Sequence, residues 1–147
     1  MKTTSNLGRR ASALVAVIVL ITTFSALAAV APLSHAELKK QAIHIVTGSV
    51  VGVASKTQKS EIEKAKGIHR DRIYTIRIKV DTVSKGAGVK VGSEIEVLAW
   101  RPSTRIPPLP GPQGHGSIPQ KWDKATFYLQ AKGKKQFEPL LPNGIEL

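Results

Sequence analysis

The chain of 147 residues contains 22 lysines and arginines against ten acidic residues, which gives a formal net charge of +12. This length suits one domain rather than several. The chain has no cysteine, so disulfide bonds, thiolate metal sites and lipid attachment at a lipobox are excluded.

Residues 1–36 are predicted to form a secretory signal. Arg9 and Arg10 belong to a positively charged start, and an apolar run over residues 11–31 follows it. Ser34 and Ala36 then occupy the two small positions of an A-x-A-like cleavage site. We therefore expect an extracytoplasmic protein, either periplasmic or secreted.

The competing interpretation of this segment is an uncleaved membrane anchor. The run over residues 11–31 approaches the ~20 residues that a helix needs to span a bilayer. In that case the protein is anchored by a single span, with the positive end inside and the C-terminal part outside. The leader is the only part of the chain that is predicted to contact a membrane.

Residues 37–147 are predicted to form one basic domain. Without Lys2, Arg9 and Arg10 the chain keeps 19 basic against ten acidic residues, a net charge of +9. An exported domain with this charge is attracted to anionic lipid, polysaccharide or cell-wall polymer. Alternatively, the charge serves solubility alone.

The first predicted strand covers residues 43–53, where β-branched side chains predominate and two interior glycines indicate a bend or bulge. A polar stretch follows over residues 56–71. Within it, Ser60 and Glu63 fit a capping box, which favours a short helix, and a mobile loop is an equal alternative.

The clearest strand covers residues 72–83, in which apolar and charged side chains alternate. The other predicted strands are residues 94–100, 125–130 and 137–147, the last interrupted by a β-turn at residues 142–144. Five strands with a long loop before the fourth favour an all-β fold, a small five-stranded Greek-key barrel.

Residues 101–119 are predicted to form that long loop, which is rich in proline. Long loops inside compact domains are often functional. The cationic and aromatic side chains around it can bind an anionic polymer, because the cation pairs with phosphate or carboxylate while the ring stacks on a base or sugar. The candidate binding residues are Trp100, Arg101, Arg105, His115, Lys121 and Trp122. Alternatively, the two tryptophans plug the ends of the barrel and the prolines wrap its surface.

One hairpin resembles a known fold. Residues 74–86 form an alternating strand that ends in Val-Ser-Lys-Gly, and residues 91–97 contain Gly-Ser-Glu-Ile-Glu-Val. The pattern resembles the central hairpin of netrin/TIMP-like OB-fold modules, and the whole chain is similar to small secreted planctomycete-type proteins of unknown function. The resemblance implies an OB-like barrel. It does not imply protease inhibition through an N-terminal cysteine, because the chain has none.

No catalytic or metal-binding constellation is found in the sequence. His44, His69 and His115 are each isolated, and no nucleophile elbow, P-loop or dinucleotide fingerprint is present. No cofactor is predicted. We therefore predict a non-enzymatic binding module for an anionic polysaccharide or an envelope protein, and export makes nucleic acid a poor candidate. The alternative is a structural accessory protein of the cell envelope with no soluble ligand.

Overall fold

The computed structural model describes residues 30–108, 114–133 and 136–147. These residues form one short helix and six strands, so the prediction of a mostly β protein is confirmed. The elements are α1 (His35–Gln41), β1 (His44–Lys59), β2 (Ile68–Lys85), β3 (Glu94–Ile106), β4 (Lys124–Ala131), β5 (Gln136–Pro139) and β6 (Ile145–Glu146).

Five of the strands pair in a ring-like sheet. The order is β1-β2-β3-β5-β4, and the pairing of β1 with β4 returns the sheet to its first strand. The β3–β5 pair is parallel, whereas the other four pairs of the ring are antiparallel. The short strand β6 pairs with β4 at Thr126 and Phe127.

The main hydrophobic core is built from the alternating side chains of these strands. Ile76, Ile78 and Val80 of β2 are fully buried, as is Phe127 of β4. A second cluster joins α1 to the ring and contains Leu38, Ala42, Ile45, Tyr128 and Leu140. The helix is thereby fixed to the domain by the burial of one apolar face.

Strands β1, β2 and β3 extend beyond the ring as a three-stranded arm. Strand β1 pairs with β4 only as far as Ser49, but it pairs with β2 as far as Lys59. Strand β3 likewise continues to Ile106, which pairs with Ile68. One edge of β1 and one edge of β3 are therefore without a strand partner along the arm, as far as the structure describes the chain.

The proline-rich loop begins later than predicted. Residues 101–106 belong to β3, so the expectation of a loop from Arg101 was wrong for this stretch. Pro102 lies opposite Asp71, beside a register shift, on an edge strand. A proline is tolerated there because an edge strand does not need every N–H for its ladder.

The helix that was one of two alternatives for residues 56–71 is not formed. The Oγ of Ser60 accepts from the N–H groups of Ile62 and Glu63 at 3.3 and 2.9 Å, as in a helix cap. Residues 60–67 nevertheless remain in bends and irregular structure. The same hydroxyl donates to the buried carboxylate of Asp71 at 2.5 Å, which fastens this loop to β2.

Helix α1 begins inside the predicted signal segment. Ser34 is its N-cap, so the predicted cleavage point between Ala36 and Glu37 lies within its first turn. Residues 1–29 of that segment lie outside the residues that the structure describes. Within the described ranges, no helix combines the length and the apolar character that a membrane crossing requires.

Candidate binding groove on strands β1 to β3

Two of the six predicted binding residues lie inside the protein. Trp100 is 3% exposed and His115 is 1% exposed. The main-chain N–H of Trp100 donates to Nδ1 of His115 at 3.1 Å, and the two rings meet edge to face. Neither ring offers a face to an external ligand, so both residues stabilise the fold.

The two arginines among the predicted binding residues, Arg101 and Arg105, form hydrogen bonds or an ion pair within the domain. Nε of Arg101 donates to the carbonyl of His115 at 2.8 Å, and Nη2 donates to the carbonyl of Gly116. Arg105 forms an ion pair with Asp71, a residue that is 2% exposed, and also donates to the carbonyl of Arg70 at 2.7 Å. Arg101 therefore anchors the segment after the proline-rich loop, and Arg105 neutralises a buried acid.

Lys121 and Trp122 remain accessible, and the structure brings them together. The indole of Trp122 is 75% exposed, an unusual state for a large aromatic residue. Nζ of Lys121 lies 4.4 Å from the centroid of that ring, within the range of a cation–π interaction. Of the six predicted residues, these two form the exposed cationic and aromatic pair that the hypothesis requires.

The turn that carries this pair has a strained backbone. Gln120 and Asp123 close it, because the Asp123 carboxylate accepts from the Gln120 N–H at 2.7 Å and the Asp123 N–H donates back to the Gln120 carbonyl at 3.2 Å. Trp122 is the third residue of the turn and has φ 82°, a region that suits glycine. Its N–H donates to the carbonyl of Val50 at 2.8 Å, which fixes the turn to β1.

A groove of about 750 Å³ lies beside this turn. One wall is the segment 118–121, which ends at Lys121, and the floor is formed by the arm where β1 bulges between Val50 and Gly52. The lining residues from the three strands are Val51, Gly52, Val53, Ala54, Tyr74, Thr75, Arg77 and Glu96. The lining residues of the groove thus include aromatic, cationic and small side chains. By strand alternation, Arg77 lies on the opposite face of β2 from Tyr74.

Arg77 lies over the floor of the groove because position 52 is glycine. A Cβ at Gly52 would stand 3.0 Å from Nη2 of Arg77 and 3.4 Å from its Nε. The guanidinium therefore rests against bare main chain, and any larger residue at position 52 would displace it. Glu96, its cross-strand neighbour, is the one carboxylate among the groove-lining residues.

A second, smaller depression of about 240 Å³ continues across β2 and β3. Tyr74 lines both cavities, and Arg72 and Arg101 line the second one. These two arginines are directly opposite each other in the β2–β3 ladder. Like charges at opposed positions destabilise a sheet, and a bound anion would remove that repulsion.

The positively charged side chains that line the groove and the depression do not form ion pairs with acidic residues of the described chain. Among the residues that the structure describes there are four ion pairs, and none includes Arg72, Arg77, Arg101 or Lys121. We call the surface formed by the groove and the depression, together with the exposed Trp122 next to Lys121, the track. Its second aromatic residue, Tyr74, is half-buried and packs against the core.

Sequence reasoning missed Gly52, Tyr74, Arg72 and Arg77. Over residues 72–83, alternation places Arg77 on the charged face of the strand, and Arg72 and Tyr74 on the face that also carries Ile76. This is also the pattern of an ordinary half-buried strand. The signal that could have singled out this face is the pair of glycines in β1, because interior glycines mark bulges and close approaches. Which side chain approaches them depends on the register between β1 and β2.

The described side chains contain no candidate metal-binding site. Over residues 30–108, 114–133 and 136–147, no group of three or more histidine, aspartate or glutamate side chains is placed to hold an ion.

Comparisons with known protein families, with curated proteins and with solved structures find no match to this chain. The predicted likeness to netrin/TIMP-like modules and to planctomycete-type secreted proteins therefore stays a prediction. Function has to be argued from the geometry of the site itself.

Proposed function

We propose that this protein is a non-enzymatic, exported binding module that holds an anionic polysaccharide along the groove and the adjoining depression. The observation that carries the proposal is the accessible Lys121–Trp122 pair at the edge of a groove whose cations are free of ion pairs. Export, in periplasmic, secreted or leader-anchored form, rests on the predicted signal.

The fold supports this proposal. Five strands in a ring with one parallel pair fit the small Greek-key barrel of OB type that the resemblance implies. OB barrels bind oligosaccharides and oligonucleotides on the face of strands 2 and 3 with adjacent loops. The track described above lies on β2 and β3, with β1 and the Lys121 turn beside them.

The chemistry of the track matches a charged sugar chain. An indole ring stacks on the apolar face of a sugar, and the Trp122 ring is exposed for that contact. Arg72 and Arg77 have forked donor groups that suit carboxylate or phosphate substituents. Because Tyr74 lines both cavities, the surface fits a ligand several units long better than a single sugar.

The strained turn also favours a binding role. A non-glycine residue with positive φ costs of the order of 1–2 kcal/mol, and such strain is concentrated at functional sites. Trp122 buries little apolar surface in return, since three quarters of it is exposed. Contact between the exposed ring and a ligand would explain why a tryptophan is present at this strained position.

Retention on immobilised polysaccharide tests the proposal. The domain is passed over alginate, a carboxylated polymer, and over neutral dextran, at low and at high salt. We expect retention on alginate alone, weakening as salt rises because exposed charge interactions are screened. Trp122→Ala and Lys121→Gln should each weaken binding by about tenfold, within the range for loss of one stacking or cation contact.

Lys90→Gln is the matched control for Lys121→Gln. Lys90 is also an exposed lysine in a turn, but it does not line the groove. Equal loss with both lysine variants would reduce the effect to net charge and contradict a specific site. Failure to bind alginate at either salt concentration would favour the alternative function, a structural accessory protein of the envelope.

A further inference from the structure

A further cavity lies at the tip of the three-stranded arm, and we call it the tip cavity. It has a volume of about 710 Å³ and is formed where the loop of residues 60–67 joins the end of β1 to the start of β2. None of its lining residues also lines the groove or the smaller depression. Anything that the tip cavity binds is therefore bound independently of the track.

His69 is a buried polar residue of the tip cavity. It is 6% exposed, and within the described part of the chain neither Nδ1 nor Nε2 has a hydrogen-bond partner. A Cβ built on Gly67 would stand 2.9 Å from Nε2, so this nitrogen meets the cavity where Gly67 carries no side chain. Most buried polar atoms have a partner, and two exceptions on one ring indicate a ligand.

The loop over this ring is attached mainly at its start. Ser60 donates its N–H to the carbonyl of His69 at 2.9 Å and its hydroxyl to Asp71 at 2.5 Å. From Lys64 to Gly67 every residue is exposed. Because both ring nitrogens are shielded from solvent, a ligand reaches them by a small shift of this exposed part of the loop.

Basic side chains predominate around the ring. The lining residues include two acidic ones, Glu61 and Glu63, and four basic ones, Lys59, Lys64, Lys66 and Arg70. All four basic residues are exposed, and none belongs to an ion pair among the residues that the structure describes. The Glu63 carboxylate accepts from the N–H of Ala65 at 2.9 Å. The cavity therefore carries an excess of positive charge, and a concave surface of one sign concentrates ions of the opposite sign.

The tip cavity suits an anion better than a metal ion. Among the described residues, His69 and the two glutamates do not form a group that is placed to hold a metal. Arg105 lies opposite His69 in the β2–β3 ladder, but its guanidinium is paired with Asp71. The imidazole ring has at least one N–H donor in either protonation state, and an anion can accept from it.

A phosphate group fits this set of donors better than a carboxylate. The lysine ammonium is a point charge and lacks the forked geometry that matches a planar carboxylate. A phosphate monoester carries about −1.5 to −2 charges near pH 7 and has three acceptor oxygens, so it gains more from several point charges.

We propose that the tip cavity is a binding site for a phosphate group, either inorganic phosphate or a monoester, in which His69 donates from within and Lys64 and Lys66 supply charge from the loop. This site goes beyond the proposed function, because it shares no lining residue with the groove and does not depend on a polysaccharide.

Titration of the purified protein with inorganic phosphate tests the proposal. Nitrogen-detected NMR of the His69 ring follows binding at constant ionic strength and neutral pH, with acetate as the carboxylate control. We expect a saturable shift of the ring signals with phosphate and none with acetate. Absence of a shift with phosphate, or an equal shift with acetate, would overturn the assignment.

Three variants, assayed by calorimetry, locate the binding. His69→Leu removes both ring nitrogens and should weaken phosphate binding at least tenfold, the effect of losing a hydrogen bond to a charged group. Replacing Lys64 and Lys66 together by glutamine should weaken it by about tenfold, and these exposed positions decide the question if His69→Leu does not fold. The matched control replaces Lys56 and Lys90, which are also exposed but line none of the three cavities. Equal loss in both lysine pairs, or full binding in a folded His69→Leu protein, would refute the site.

Two further measurements distinguish the source of the phosphate group and separate this site from the track. Calorimetry with glycerol 3-phosphate tests a soluble ester, and sedimentation with phosphatidylcholine vesicles that contain phosphatidic acid tests a lipid headgroup. Binding of either one that inorganic phosphate displaces supports the site, and failure of both overturns it for esters. Trp122→Ala should bind phosphate like the unmodified protein, so loss of alginate retention leaves this proposal standing.

Discussion

Trp100 and His115 are joined by a hydrogen bond that favours one tautomer of the neutral histidine. The Trp100 N–H donates to Nδ1 at 3.1 Å, and Nε2 lies 3.0 Å from the carbonyl of Pro139, to which it donates. Nδ1 therefore acts as an acceptor and the proton lies on Nε2. Burial lowers the pKa of His115, the largest influence on that group, because it disfavours the charged ring.

This arrangement predicts acid sensitivity of the fold. The pKa of His115 is lower in the folded than in the unfolded protein, so the unfolded state binds the proton more readily. Stability is complete above the ordinary pKa of about 6.5 and declines as the pH falls from there towards the folded value, by up to about 1.4 kcal/mol per pH unit.

Urea unfolding between pH 7.5 and pH 4.5 measures this decline. His115→Gln keeps one donor and one acceptor without a titrating group, so its free energy of unfolding should depend less steeply on pH over this range. An identical pH dependence in both proteins would show that His115 is not responsible.

Arg105→Met is expected to damage the fold and spare the groove. It leaves the buried carboxylate of Asp71 without its cation, and removal of one partner of a buried pair costs about 3–5 kcal/mol. Lys124→Met is the control, because its ion pair with Asp81 is exposed and such pairs contribute about 0–1 kcal/mol. Chemical unfolding gives both values, and a loss below 1 kcal/mol for Arg105→Met would contradict the structural role of this arginine.

Arg72→Gln is expected to separate ligand binding from stability. In the free protein it removes the repulsion between Arg72 and Arg101, so the free energy of unfolding should rise by about 0.2–1 kcal/mol. In the presence of alginate the same change should weaken retention, because one cation of the track is lost. Weaker retention together with lower stability would mean that Arg72 acts through the fold and not through the ligand.

The fold was predictable where strand periodicity is simple. Residues 72–83 alternate regularly, and β2 contains all of them. The extension of β3 to Ile106 could not be predicted, because Pro102 argues against a strand unless the strand is known to lie at an edge. Edge position follows from the order of the whole sheet, which local sequence does not encode.

The site was predictable only in part, for a related reason. In a regular strand, Trp100 points away from the face shared by Val97 and Ala99, so alternation leaves it on the outside. It is buried nonetheless, because the segment carrying His115 lies against it, with the His115 N–H donating to the Trp100 carbonyl at 2.9 Å. Contacts between segments distant in the chain thus decide which aromatic residue stays available for a ligand.

Trp122→Gly and Trp122→Ala are expected to differ in stability but not in binding. Both remove the exposed ring, so both should lose retention on alginate. Position 122 has φ 82°, and an alanine there keeps the backbone strain of about 1–2 kcal/mol in the folded state. A glycine has no such strain, but it loses more backbone entropy on folding, which costs about 0.5–1 kcal/mol. Trp122→Gly should therefore be more stable than Trp122→Ala, by up to about 1.5 kcal/mol.

Thermal and urea unfolding of the two variants give this difference, and Gly133→Ala serves as a control for the general effect of exchanging glycine and alanine. A Cβ at Gly133 meets nothing within 4 Å, and its φ is not in the positive range. If Trp122→Gly were the less stable variant, the turn would not be strained. If either variant kept full retention on alginate, the exposed ring would have no part in binding, and the strain at Trp122 would serve no ligand.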